Sequence, residues 1–237
     1  MPDTWSLSWD DSGDRLYETG TDRGVLYPVV GESPATDGKA YTGGVEWNGL
    51  TGFTESPEGA EANAIYADNI KYLSLRSAED YGCTITAYTY PEAFEACNGQ
   101  VCPTGLKGVF IGQQNRTPFG FSCRTLVGND EHGDAYGYKI HLVYGCTASP
   151  SERSYQTVND SPEAIEFSWD IDTIPSSLVP SGMKPAACVT IDTTKLQLVG
   201  ENNAAGPDKA KLDALEAALY GSAPYLPTPK AVAEMFA

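Results

Sequence analysis

The chain has few basic residues, very little histidine and no long apolar runs. Its 237 residues carry 15 Lys and Arg against 32 Asp and Glu, a formal charge of −17. Proteins that hold DNA or RNA neutralise phosphates with clustered Lys and Arg, so this balance excludes a basic nucleic-acid groove. There are only two histidines, His132 in an acidic, turn-like segment and His141 in a strand-like one. No G-x-S-x-G elbow, Walker loop, H-E-x-x-H pair or dinucleotide fingerprint occurs. His141 shares its parity with Lys139, which points it to solvent or an interface, and no nucleophile can be paired with it. The expectation is a non-enzyme without cofactor. No stretch of about 18 apolar residues is present to cross a membrane as a helix. The opening MPDTWSLSWDDSGD places four Asp ahead of Arg15, the reverse of a secretory signal. Taken as a full translation product, the chain is expected in a reducing cytoplasm, with its six cysteines as thiols.

What is present argues for a packed β protein. A hydrophobic fraction of 41%, with 14 Tyr and 4 Trp, is too rich for a disordered chain. The 24 Gly and 16 Pro call for many turns, and the length suits one all-β domain. In 136–146, Tyr136, Tyr138, Ile140, Leu142, Tyr144 and Cys146 fall on one parity, opposite Lys139 and His141. Phe119, Phe121, Cys123, Thr125 and Val127 alternate in the same way with Gly120, Ser122, Arg124 and Leu126. The turn-rich VGNDEHGDAYG between them predicts a long-looped hairpin. Further strands are expected over 15–19, 25–30, 45–55, 70–76, 83–90, 108–113, 165–171 and 186–192.

YPEAFEACNG, with Pro91 at its start and Gly99 at its end, predicts a helix of about two turns. A longer helix is expected from Pro207 to Gly221, with Leu212, Leu215 and Leu219 on one face. Three prolines in SAPYLPTPK exclude helix interior and central strand there. That stretch is expected to be an extended arm lying on another part of the molecule or on a neighbour, followed by a short helix from about Lys230. The division is a β-rich body, 1–200, and a C-terminal helix plus proline-rich arm, 201–237. The narrow leucine stripe, with Tyr225, Leu226, Met235 and Phe236 of the arm, must be buried somewhere. The tail is expected to hold subunits together and to be dispensable for folding of the body.

Cys97 and Cys102, in CNGQVC, are the one close cysteine pair. Zinc needs about two more ligands, while Cys83, Cys123 and Cys146 each share parity with apolar neighbours. Packed thiols are the simpler reading, and a Cys97–Cys102 disulfide in an oxidised particle stays open. In AIEFSWDID, Ile165, Phe167, Trp169 and Ile171 alternate with Glu166, Ser168, Asp170 and Asp172. One face is apolar and the other acidic without a base. An outer solvated face is the ordinary reading, and a surface built to repel a polyanion is the second. Calcium is a third, but its D-x-[DN]-x-[DN]-G loop is absent.

Whole blocks of the sequence resemble the major tail tube proteins of long-tailed bacteriophages. They are WDDSGDRLYETGTDRGVLYP, VEWNGLTGFTESPEGAEANAIYADNIKYLSLRSAEDYGCTITAYTYPEAF and IGQQNRTPFGFSCRTLVGNDEHGDAYGYKIHLVYGCTASPSERSYQTVNDSPEAIEFSWDI, with the closing LDALEAALYG and its arm. The resemblance spans residues 9–237, and the six cysteines depart from it. It implies a mainly β, β-sandwich tail-tube fold with a flanking short helix and a helical C-terminal extension. Six copies would form a ring, rings would stack into a hollow tube, and inner strands of neighbours would join into one barrel. The implied partners are further copies of the chain, the tape-measure protein, tail terminator or baseplate proteins, and phage DNA passing without specific binding, with no membrane contact. The implied location is the virion, after assembly in the host cytoplasm. On this reading the acidic face of Glu166, Asp170 and Asp172 is the candidate channel wall. Leu212, Leu215, Leu219, Tyr225, Leu226, Met235 and Phe236 are the candidate contacts between subunits. The alternative is a non-enzymatic β-sandwich binding module on a particle surface, recognising sugars or proteins through its Tyr and Trp.

Overall fold

In a computed structural model, the described residues are 11–31, 37–59, 61–155, 157, 164–199 and 205–237. The chain is mainly β, 47% strand and 13% helix. In order, the strands and helices are β1 (Tyr17–Tyr27), β2 (Val29–Val30), β3 (Lys39–Thr42), β4 (Val45–Trp47), β5 (Leu50–Gly59), β6 (Ala62–Ala67), β7 (Ile70–Arg76), β8 (Glu79–Ala87) and α1 (Phe94–Cys97). There follow β9 (Phe119–Asn129), β10 (Gly133–Ala148), β11 (Phe167–Asp172), β12 (Cys188–Asp192), α2 (Lys209–Tyr220), β13 (Tyr225–Pro227) and α3 (Pro229–Phe236).

Eight strands form one hydrogen-bonded sheet, β4-β1-β9-β10-β11-β8-β5, with β12 also paired to β10. It folds over at β10 into a sandwich. Lys139 to Val143 of β10 pair with β12, whereas Thr147 and Ala148 pair with β11. Gly145 makes the change possible. Its φ is +64, and a Cβ there would stand 2.2 Å from the Ile174 carbonyl oxygen. The register of β10 against β9 jumps between Val143 and Cys146. This bulge flips side-chain parity. Ile140, Leu142 and Tyr144 therefore face one core while Val143, Cys146 and Ala148 face the other. The single parity expected from Tyr136 to Cys146 breaks at that residue.

The first core lies between the layers. Leu26, Trp47, Phe121 and Val143 meet Ile85, Trp169 and Ile171, with Phe94 of α1 closing one end. Its aromatic rings interlock, Trp47 lying 5.6 Å from Trp169 and Phe94 lying 5.1 Å from Trp169. The second core lies on the far side of β1-β9-β10, under α2, β13 and α3. There the proline-rich arm becomes β13, which pairs antiparallel with β3 at Leu226↔Tyr41. Gly120 of β9 lets it sit down, since a Cβ there would be 2.7 Å from Leu226 Cδ2. The Tyr27 hydroxyl meets Ser122 Oγ at 3.1 Å and donates to the Leu219 carbonyl at 3.2 Å, tying sheet to helix. Thr228 caps α3 by accepting from the Ala231 N–H at 3.1 Å, and Pro229 opens the helix.

Several expectations need correction. The strand expected over 45–55 divides at a turn through Asn48 and Gly49 into β4 and β5. Residues 108–113 form only a single bridge, Ile111 with Val101. The long loop expected between β9 and β10 shrinks to Asp130–His132 because both strands run further. Asn129 closes that turn, its side chain accepting from the Glu131 and His132 N–H groups.

Candidate functional site

Among the described residues, the layer β11-β8-β5 buries one face and leaves the other bare. Trp169 and Ile171 of β11, Cys83, Ile85 and Ala87 of β8, and Phe53 of β5 point into the sandwich. Alternation sends their neighbours outward, and the register aligns them in rows: Asp170 with Thr84 and Thr54, Asp172 with Gly82 and Ser56, Asp80 with Glu58. The outer face is therefore hydroxyl, glycine and carboxylate. No Lys or Arg occurs in β5, β8 or β11. A depression of about 460 Å3 on this face is lined by Ser56, Glu58, Asp80, Thr84, Asp170 and Asp172, among others.

Glu166, Asp170 and Asp172 all lie exposed on this side. Their apolar counterparts Trp169 and Ile171 are buried and Phe167 is half-buried, but Ile165 precedes β11 and is exposed. Each carboxylate is held by a hydroxyl. Thr84 Oγ1 donates to Asp170 Oδ1 at 2.9 Å, Ser149 Oγ to Asp172 Oδ2 at 2.9 Å, and Thr51 Oγ1 to Glu166 Oε1. These three hydroxyl protons are thereby engaged. On the other layer the bases are matched with acids: Arg124 forks onto Asp22, Lys139 reaches Glu18, and Lys211 meets Asp208 at 3.4 Å.

His141 corrects the sequence reading. It is buried, because β10 is covered on both faces from Ile140 onward. Nε2 lies 2.9 Å from Thr125 Oγ1, Nδ1 lies 3.6 Å from Glu55 Oε1, and the ring packs on Phe53 at 5.8 Å. Burial holds its pKa below the usual imidazole range, although the Glu55 carboxylate pulls the other way. His132 stays at the β9–β10 turn, against Tyr136. All six cysteines are unlinked, Cys97 and Cys102 included. Burial pushes the Cys83 and Cys97 thiols up to about 12 and raises those of Cys123, Cys146 and Cys188, so these five are poor nucleophiles at neutral pH. Among the described residues, no group of three His, Cys, Asp or Glu is placed to hold a metal ion.

The β6–β7 hairpin was half missed. The range of β7 was expected, but β6 and the pairing were not. Asp68 and Asn69 form its turn with φ of +51 and +63, the left-handed pair a two-residue hairpin needs. That Asp-Asn dipeptide between two apolar runs was the available signal. Among the described residues the hairpin pairs only with itself, and it carries Tyr66, Ile70 and Tyr72 at 69%, 63% and 66% exposure. The C-terminal leucines have the opposite fate. Leu212, Leu215, Leu219 and Leu226 are buried in the chain's own second core, so the cover they require is supplied within the chain. Tyr225, Met235 and Phe236 are half-buried at its margin. Set beside protein families and curated proteins, the chain matches no family model and no curated protein.

Proposed function

We propose that the chain is the major tail tube subunit of a long-tailed bacteriophage, building stacked six-membered rings whose channel wall is the outer face of β5-β8-β11. The observation that carries this reading is the composition of that face: carboxylates, hydroxyls and glycines, with no base and no large apolar side chain. The resemblance across residues 9–237 supports it, as does a hairpin whose large apolar side chains are exposed.

The physics suits a conduit. Duplex DNA carries one charge per roughly 1.7 Å of axis, and clustered bases would grip it. A ring of six chains at −17 each carries roughly 100 formal negative charges. Screening over about 8 Å confines repulsion to the zone near the wall, which keeps DNA centred without blocking it. Thr84, Ser149 and Thr51 give their protons to Asp170, Asp172 and Glu166, so these three hydroxyls are not free to hold a phosphate. On this reading the channel holds the tape-measure protein before DNA enters, and terminator or baseplate proteins close its ends.

Negative-stain microscopy of the purified chain should show rings or hollow tubes, and monomers under all conditions would reject the proposal. In phage carrying Glu166→Lys, Asp170→Lys and Asp172→Lys together, DNA ejection should slow and become strongly salt-dependent. Normal tubes ejecting at the parental rate would remove these residues from the channel wall.

A further inference from the structure

Cys83, Cys97, Cys123 and Cys146 lie in the first core, and Cys188 meets that core from its rim. Cys188 of β12 pairs with Val143 of β10, so its side chain leaves the sheet on the face that Val143 turns to Cys83. Its sulfur stops 3.8 Å from Glu55 Oε1. Glu55 stands opposite Cys83 in the β5–β8 register, and opposed residues carry their side chains on one face about 5 Å apart. Tyr81, two residues before Cys83 and on the same face, donates to the same carboxylate at 2.9 Å. Cys188 therefore lies over the spot where Glu55, Tyr81 and Cys83 meet. Facing sheets ordinarily stand about 10 Å apart, too far for a disulfide, whose Cα atoms lie about 4.4–6.8 Å apart. Here the layers converge. β10 pairs with β12 at Val143 and with β11 at Ala148, whose partner Ile171 in turn opposes Cys83. Burial raises the Cys83 pKa to about 12, and the charges of Cys188 and Glu55 are the next causes, as they must be at close range.

We infer that Cys83 and Cys188 are a disulfide site, open as the structure shows it and closed by exchange with a small-molecule disulfide such as oxidised glutathione. Cys188 is the thiol such a reagent meets first, being half-buried where Cys83, Cys97, Cys123 and Cys146 are buried. Its proton passes to the Glu55 carboxylate that it faces, and its sulfur attacks one sulfur of the reagent. The reagent's S–S bond breaks, and the first glutathione leaves with that proton. Cys83 then gives up its own proton and attacks the Cys188 sulfur, and the second glutathione leaves as a thiol. Two thiols of the chain are oxidised, and one disulfide is reduced to two thiols. Burial keeps both cysteines protonated near neutral pH, so closing is slow, and reducing surroundings leave the site open. The closed bond joins β8 to β12 and pins one layer to the other across a loop of roughly 100 residues. It needs no second copy, so it stands apart from the self-assembly proposed above.

The test incubates the full chain carrying Cys102→Ser, which removes the other half-buried thiol, with oxidised glutathione below its melting temperature. Two thiols should be lost on titration in denaturant, and peptide mapping should join the peptides that hold residues 83 and 188. The melting temperature should rise by about 10 °C or more and fall back on reduction with dithiothreitol. With Cys83→Ser added, the reaction should stop with one glutathione left on Cys188. Retention of every thiol, glutathione left on Cys188 while Cys83 is present, or a bond between another pair would each overturn the site. So would the loss of two thiols in the Cys83→Ser chain, which would give Cys188 a different partner.

Discussion

In the layer β4-β1-β9-β10-β12 both faces are covered where β1 runs from Gly24, β9 through Cys123 and β10 from Ile140, one by the opposing layer and one by α2, β13 and α3. Bases there sit beside acids, Arg124 with Asp22 and Lys139 with Glu18. The layer β5-β8-β11 has one covered face, a base-free acidic face and an apolar hairpin reaching past its end. A chain that buries Leu212, Leu215 and Leu219 under its own helix has no general shortage of cover. The bare layer is therefore local in cause, and on the proposed function it is a surface finished by other copies. The proposed function then assigns stability to the first layer and assembly to the second.

The largest test of that division removes residues 201–237. The tail was expected to be dispensable for folding, yet it covers Tyr27, Ile140, Leu142 and Tyr144. Losing several fully buried side chains at about 2–5 kcal/mol each exceeds a typical stability of 5–15 kcal/mol. The truncated chain should lack a cooperative thermal transition and near-ultraviolet dichroism. A sharp melt would return the tail to the surface. The same substitution in the two regions then separates them. Leu215→Ala should cost about 2–5 kcal/mol in denaturant unfolding. Leu75→Ala should cost less than about 0.5 kcal/mol in the unassembled chain while weakening assembly. Equal costs would break the comparison.

Gly145 joins the two layers, so its substitution tests their coupling. Ala there takes a φ of +64 and meets the Ile174 carbonyl. The expected cost is about 2–3 kcal/mol, with both layers melting together. A neutral Gly145→Ala would mean that the bulge tolerates a side chain.

Much of this was written in local pattern. The acidic side of 165–172 and the apolar side of β9 followed from alternation, and the two C-terminal helices from proline, leucine spacing and glycine. What failed depends on distant chain. Nothing near Tyr144 announces that Gly145 flips parity, because the reason is the Ile174 backbone pressed against it. His141 reads as surface beside Lys139 until Glu55 and Phe53 of the opposite layer close over it. Likewise, β8 and β11 are adjacent strands although Ile85 and Trp169 are far apart in sequence, and such register is a tertiary choice.

His141 gives the smallest effect and the closest probe of the seam between layers. It belongs to β10, bonds Thr125 of β9, and faces Glu55 of β5, with Cys188 of β12 and Tyr81 of β8 on the same carboxylate. Lys139 and Glu18 lie nearby, the lysine opposing a second positive charge and the carboxylate favouring it. Burial is the largest influence and lowers the folded pKa below the ordinary 6.5. Above that value both folded and unfolded chains hold a neutral ring, and the contribution is complete. As the pH falls from 6.5 toward the folded pKa, the unfolded chain takes up a proton that the folded one refuses. Stability is lost across that window, by at most about 1.4 kcal/mol per pH unit, and then levels. The same pH series on His141→Gln isolates this from the carboxylates, which titrate in both proteins. The difference between the two curves should grow only below pH 6.5, with the parent losing more. A constant difference from pH 8 to pH 5 would show that His141 titrates alike in both states and that the seam does not feel its charge.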